Sequence, residues 1–171
     1  MSLNSEVNDT GVVVYSQCDD DVGAFTFDEA NTFNTPSPVN KGDDVTLNLA
    51  GIFGDHGTLT NLHIHVDWNK TPLYDEDHDQ KTDIGDEFKT SIGWNVPSFA
   101  PSGNYDVTIS GTGDIQGQTK AKIMCIAAQF SLWTWTNKWT QQTIKYIFLL
   151  SNLKFEHFNI VINGKNISDD I

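Results

Sequence analysis

The chain has 171 residues, with 23 acids against 10 lysines, no arginine and a formal net charge of −13. That balance argues against a protein that grips nucleic-acid phosphates, and against one held on anionic lipid by a basic patch. Hydrophobic residues at 38% and charged residues at 19% fit one folded domain with an appendage, and no apolar run is long enough to span a bilayer.

The start, through Cys18, lacks the basic segment and the long apolar run of a secretory leader. Read literally, the chain stays in the cytosol; read as a mature or truncated form, it is secretory. Sequons at Asn8, Asn69 and Asn166 fit the second reading. Residues 1–11 are expected to be a flexible N-terminus, 12–132 the folded body, and 133–171 a tail.

Within the body, apolar and polar residues alternate with period two. Phe25 and Phe27 begin the pattern. It recurs at Val45, Leu47 and Leu49, at Leu62, Ile64, Val66 and Trp68, at Ile92, Trp94 and Val96, and at Tyr105, Val107 and Ile109. These are half-buried strands, one face in and one face wet. The stretch from Lys122 to Leu132 is apolar on both faces in its middle, which predicts a central strand containing Ile123 and Ile126. Pro36-Ser-Pro38, Lys41 to Asp44, Gly54 to Gly57, Pro101 to Gly103 and Gly111-Thr-Gly113 are predicted turns. The pattern predicts an all-β, antiparallel sandwich or barrel.

The composition shifts near residue 132. The tail holds Trp133, Trp135 and Trp139, a single glycine, Gly164, and no proline. Its pattern predicts a helix over about 137–154, packed on the sandwich, left loosely ordered or lying at a membrane interface, followed by an apolar group from Phe158 to Ile162.

Several constellations bear on chemistry. Cys18 and Cys125 are too far apart in sequence for a zinc ribbon or a redox pair; they are either two buried thiols or one long-range disulfide. His63 and His65 share one face of a predicted strand with Asp67, a row that suits zinc or copper but also suits an ordinary wet strand face. Asp75, Asp77, Asp79 and Asp86 have the spacing of a calcium loop. However, Gln80 stands where the sharp turn needs glycine, so the stretch 75–87 reads as a solvated acidic loop. No setting joins a nucleophile to a base and an orienting acid, and no glycine-rich phosphate loop precedes a helix. The residues thus assign no catalytic group, metal or cofactor. They leave the apolar inner face, which is either a closed core or the wall of a cavity.

The order of motifs adds to this reading. Tyr15-Ser-Gln-Cys18, Thr35-Pro-Ser-Pro38, Lys41-Gly-Asp-Asp-Val-Thr-Leu47, His63-Ile-His-Val66 and Trp68-Asn-Lys-Thr-Pro-Leu-Tyr74 come first. Val96-Pro-Ser-Phe-Ala-Pro101, Tyr105-Asp-Val-Thr-Ile109, Cys125 and a closing Ala128-Gln-Phe-Ser-Leu132 follow. Over residues 12–132 this series resembles the ML lipid-recognition family. The family includes the sterol carriers of Niemann–Pick disease type C and the phosphatidylglycerol/phosphatidylinositol transfer proteins. The resemblance implies an immunoglobulin-like sandwich whose sheets splay to admit a phospholipid or sterol, and a Cys18–Cys125 disulfide. It implies a pocket mouth at Leu73, Tyr74, Val96, Pro97, Phe99 and Pro101, with Trp94, Tyr105, Val107 and Ile109 deeper. A headgroup would lie near Tyr74, Lys70 and Lys89. It further implies a monomer that touches membranes transiently, secreted or endolysosomal. Serine at position 37, where many relatives carry cysteine, and the tail after 132 depart from the family. The alternative reading is an immunoglobulin-like interaction module with a closed core.

Overall fold

The alternation of the body becomes extended chain. In the structure, a computed structural model, residues 11–18, 25–133, 158–162 and 165–166 are described. The strands are β1 (Val14–Gln17), β2 (Phe25–Phe27), β3 (Phe33–Thr35), β4 (Asp44–Phe53), β5 (Gly57–Trp68), β6 (Thr71–Ile84), β7 (Phe88–Asn95), β8 (Gly103–Ile115), β9 (Gln118–Leu132), β10 (Phe158–Ile162) and β11 (Lys165–Asn166). One sheet has the order β1-β9-β8-β5-β6 and the other β11-β10-β7-β4-β2, with β3 on a second stretch of β4. Neighbouring strands run antiparallel, and the two sheets make an immunoglobulin-like sandwich with a C-terminal extension.

The register puts apolar residues in line. Val66 pairs with Val107, Ile64 with Ile109, and Ile109 in turn with Ile126. In the other sheet Val45 pairs with Trp94 and Leu47 with Ile92. Residues expected inside are buried, apart from Phe27 and Trp68, which are half-buried. Phe25, Phe53 and Phe88 form one aromatic cluster and Trp94, Tyr105 and Phe130 another. Phe53, Phe88, Leu59 and Met124 complete a core that alternation alone does not delimit. β9 lies between β1 and β8, as its two apolar faces predict.

Two expectations meet a different outcome. Gly111-Thr-Gly113 is not a turn but lies inside β8, with shifts of register beside both glycines. These glycines are there because neighbours occupy the Cβ positions: a Cβ on Gly111 would lie 2.6 Å from Met124 Cγ, and one on Gly113 2.2 Å from the Thr58 carbonyl oxygen. The actual turn follows at Gln116 and Gly117, whose φ values of 50° and 76° suit a tight hairpin. The acidic stretch is not a loop either, since residues 71–84 form β6, hydrogen-bonded along β5. On an extended strand Asp75 and Asp79 stand about 13 Å apart, so these aspartates do not wrap around one calcium ion as a loop would. The helix expected over 137–154 and the N-terminal residues 1–10 lie outside the described residues. Gly11 is described, and its carbonyl accepts the Val39 N–H at 2.8 Å.

One flank of the sandwich is laced shut. Gln17 on β1 donates to the Phe25 carbonyl and accepts the Phe27 N–H, each at 3.2 Å, so it bridges the two sheets. The Tyr15 hydroxyl donates to Asn34 Oδ1 at 3.3 Å. Cys18 and Cys125 form a disulfide that joins the end of β1 to β9, with 5.4 Å between Cα atoms and 107 residues of separation. Such bonds persist in oxidising compartments, and this one is compatible with a secreted protein. β6 is the outermost strand at the opposite margin of its sheet.

Candidate functional site

The residues assigned to a pocket mouth gather at one end of the sandwich. β5 turns into β6 through Asn69 and Lys70, at φ 48° and 65°. This turn is tied to the segment before β8. Trp68 Nε1 donates to the Ser102 carbonyl at 3.2 Å, and Asn69 exchanges bonds with Asn104 at 2.9 and 3.0 Å. Lys41 Nζ reaches Ser102 Oγ at 3.0 Å, and burial lowers its pKa from the ordinary lysine value. Leu73, Tyr74 and Pro97 are half-buried, Phe99 is 56% exposed, and Pro101 is buried. Lys70 sits at this end, but Lys89 does not. It stands six residues before Asn95 on β7, about 20 Å away along the strand, and pairs with Glu87.

The deeper residues, and Val96 of the expected mouth, are packed. Trp94, Val96, Tyr105, Val107 and Ile109 are 5, 0, 1, 4 and 0% exposed. The Tyr105 ring stacks on Phe130 at 5.2 Å, and its hydroxyl donates to the Pro101 carbonyl at 2.7 Å. Burial pushes that hydroxyl above the ordinary tyrosine range. These five side chains are closed off from solvent, so a ligand would reach them only if the sheets parted.

The inner face of β6 has a different character, which sequence reasoning missed. Tyr74, Glu76 and His78 pair with the inward Val66, Ile64 and Leu62, and Thr82 with the inward Leu59. From Tyr74 to Ile84 the even-numbered residues of β6 therefore lie on the side of the other sheet; Tyr74, His78, Gln80 and Thr82 among them are polar and half-buried, while the polar Glu76 is exposed. The Tyr74 hydroxyl donates to Glu76 Oε2 at 2.5 Å and lies 3.4 Å from His78 Nε2. Burial first, then the Glu76 bond and charge, raise its pKa. Both amide atoms of Gln80 are buried and have no hydrogen-bond partner among the described residues.

From Asp75 onward the odd-numbered residues of β6 face solvent and meet the outward row of β5. His65 is opposite Asp75, and His63 is opposite Asp77. His63 Nε2 lies 3.0 Å from Asp75 Oδ1, and His63 Nδ1 lies 3.0 Å from Asp77 Oδ1. His65 Nδ1 lies 3.2 Å from Asp75 Oδ2, and His65 Nε2 lies 3.3 Å from Asp67 Oδ1. The row His63, His65 and Asp67 was visible as one strand face. Asp75 and Asp77 join it only through the cross-strand register.

No protein-family model and no curated protein matches the chain. Among solved structures it is similar to the C-terminal domain of Wzt, at 9% identity and a TM-score of 0.50, over 76% of this chain and 85% of that one. It is also similar to the Pseudomonas fluorescens alkylpurine DNA glycosylase AlkC bound to DNA containing an abasic site analog. There the identity is 11% and the TM-score 0.43, over 65% of this chain and 31% of that one. A third is Spo0M, a sporulation control protein from Bacillus subtilis, at 15% identity and a TM-score of 0.40, over 75% of this chain and 56% of that one. The first of these likenesses bears on the sandwich fold and on nothing more specific.

Proposed function

We propose that the chain is a lipid carrier. It holds an amphiphile, phospholipid or sterol, between its two sheets and exchanges it during transient contact with membranes. The observation that carries this reading is the two-sided asymmetry of the sandwich. One flank is laced by Gln17, Tyr15 and the disulfide, while the margin at β6 turns a polar row inward over an apolar floor of Leu62, Ile64 and Val66. An amphiphile matches such a surface, with its hydrocarbon on the floor and its polar group at Tyr74, Glu76, His78 and Gln80. An acyl chain of about 15 carbons gains roughly 10 kcal/mol on leaving water. It also refills the space that opens when the sheets part, so the core residues it displaces stay dry. The resemblance of residues 12–132 to the ML family supports the same reading. The disulfide is in keeping with a secreted or endolysosomal carrier.

Native mass spectrometry of the full chain purified from lipid-rich cells, followed by lipid extraction, tests the proposal. One lipid per chain is expected. A lipid-free chain that also takes up nothing from mixed phospholipid–sterol vesicles refutes it. That outcome favours a second reading, a closed-core module that binds a protein through the loops near Lys41, Lys70 and Phe99. The dense packing around Trp94, Tyr105 and Phe130 supports this second reading.

A further inference from the structure

We propose that the outer face of β5 and β6 carries a binding site for a divalent transition-metal ion, zinc or copper, formed by His63, His65 and Asp75. The site lies on the solvent side of the sheet, so it stands apart from the inter-sheet reading and does not depend on it.

The argument begins with the imidazoles. A neutral ring has one N–H and one lone pair. Both nitrogens of His63 face carboxylates, Asp75 and Asp77, and both nitrogens of His65 do too, Asp75 and Asp67. With neutral rings, one nitrogen of each turns its lone pair toward a carboxylate oxygen. A cation between them removes that repulsion. Asp75 is common to both rings and offers a separate oxygen to each. One ligand atom from each of His63, His65 and Asp75 lies within 4.8 Å of the others. Tetrahedral zinc with bonds near 2.0–2.1 Å spaces its ligand atoms about 3.3 Å apart, a distance that small side-chain rotations supply.

The remaining contacts have the form that metal-bound histidines require. With one nitrogen on the metal, the other carries the proton and donates to a carboxylate, which fixes tautomer and orientation. Asp77 is placed to do this for His63, and Asp67 for His65. Asp67 Oδ1 is buried and receives no hydrogen bond among the described residues, so a proton held on His65 Nε2 would satisfy it. The two rings are nearly parallel, 11° apart with centroids at 6.5 Å, and so present their nitrogens side by side. β5 is hydrogen-bonded on both edges, to β6 and β8, which holds the two histidines in place. The side chains of His63, His65 and Asp75 are 34, 29 and 59% exposed, so an ion and its remaining water ligands have access. Imidazole with carboxylate favours zinc or copper over magnesium and calcium.

Isothermal titration of zinc chloride into the metal-stripped full chain, in a buffer that does not bind zinc, tests the site. One saturable equivalent is expected. His63→Gln, His65→Gln and Asp75→Asn should each weaken binding at least tenfold. Asp77→Asn and Asp67→Asn should weaken it about tenfold through loss of orientation. His56→Gln should leave it unchanged. Circular dichroism checks that each variant folds. Copper paramagnetic resonance on the unsubstituted chain needs no variant, and coupling to two imidazole nitrogens is expected there. Absence of saturable zinc uptake, full retention in His63→Gln and His65→Gln, or an all-oxygen copper spectrum would each overturn the proposal.

Discussion

Replacing Gln80 by methionine should make the ligand-free protein more stable while weakening its hold on lipid. Methionine keeps the unbranched shape of glutamine and removes the amide, whose donor and acceptor are both buried without partners among the described residues. A buried polar group left unsatisfied costs about 1–3 kcal/mol. Gln80 is half-buried on an outermost strand, so the lower part of that range applies, about 1–2 kcal/mol. For a chain of this size each kcal/mol shifts Tm by about 2–4 °C, which predicts a rise of roughly 2–8 °C. Calorimetry of delipidated wild-type and Gln80→Met protein measures the shift, and vesicle titration then measures lipid uptake. A lower Tm would show that the amide is bonded in the folded state and would refute the reasoning. A higher Tm with unchanged uptake would remove the inner face of β6 from the site.

Further expectations concern the frame around that site. The Cys18→Ser/Cys125→Ser variant should lose up to about 4.7 kcal/mol, the loop-closure value for roughly 100 residues, read as a lower urea midpoint; an unchanged midpoint contradicts it. Gly113→Ala should destabilise more than Gly111→Ala, because its Cβ meets the rigid Thr58 carbonyl at 2.2 Å, whereas Gly111 meets the flexible Met124 side chain at 2.6 Å. Urea titration ranks the two. Tyr15, Tyr74 and Tyr105 all have pKa values raised in the folded state, chiefly by burial. The folded protein then keeps protons that the unfolded chain releases, so stability holds below the unfolded tyrosine pKa of about 10 and falls as pH rises above it. Urea midpoints measured from pH 8 to pH 11 would show this decline, and a flat profile would disprove it.

Which strands were legible follows from what faces inward. β4, β5, β7 and β8 bury mostly apolar residues at every second position, so alternation reveals them, and β9 stands out as a stretch apolar on both faces. β6 turns the half-buried Tyr74, His78 and Gln80 inward instead, and its apolar signal vanishes. The remaining clue was acidic, with Asp75, Asp77, Asp79 and Asp83 at odd positions while the even ones are mixed. Gly111 and Gly113 misled because a glycine that makes room for Met124 and Thr58 looks, in sequence, like one that makes a turn. Periodicity places Trp94, Tyr105 and Val107 inside, but it cannot distinguish a wall from a packed core. The partners of His63 and His65 depend on the Asn69-Lys70 turn and on the register shift between Val66 and Asp67, neither of which alternation encodes. The pairing of Cys18 with Cys125 was readable through family resemblance alone.

The long rim strand also governs how copies of this molecule treat one another. Among the described residues no strand pairs with the outer edge of β6, and such an edge invites a neighbour to add a strand of its own. Here a second molecule laying its β6 alongside would set a comb of aspartates against an identical comb, desolvating both. Mutual repulsion along that seam would disfavour such pairing, so the carboxylates that give no help to the interior work against growth of the sheet into a fibre.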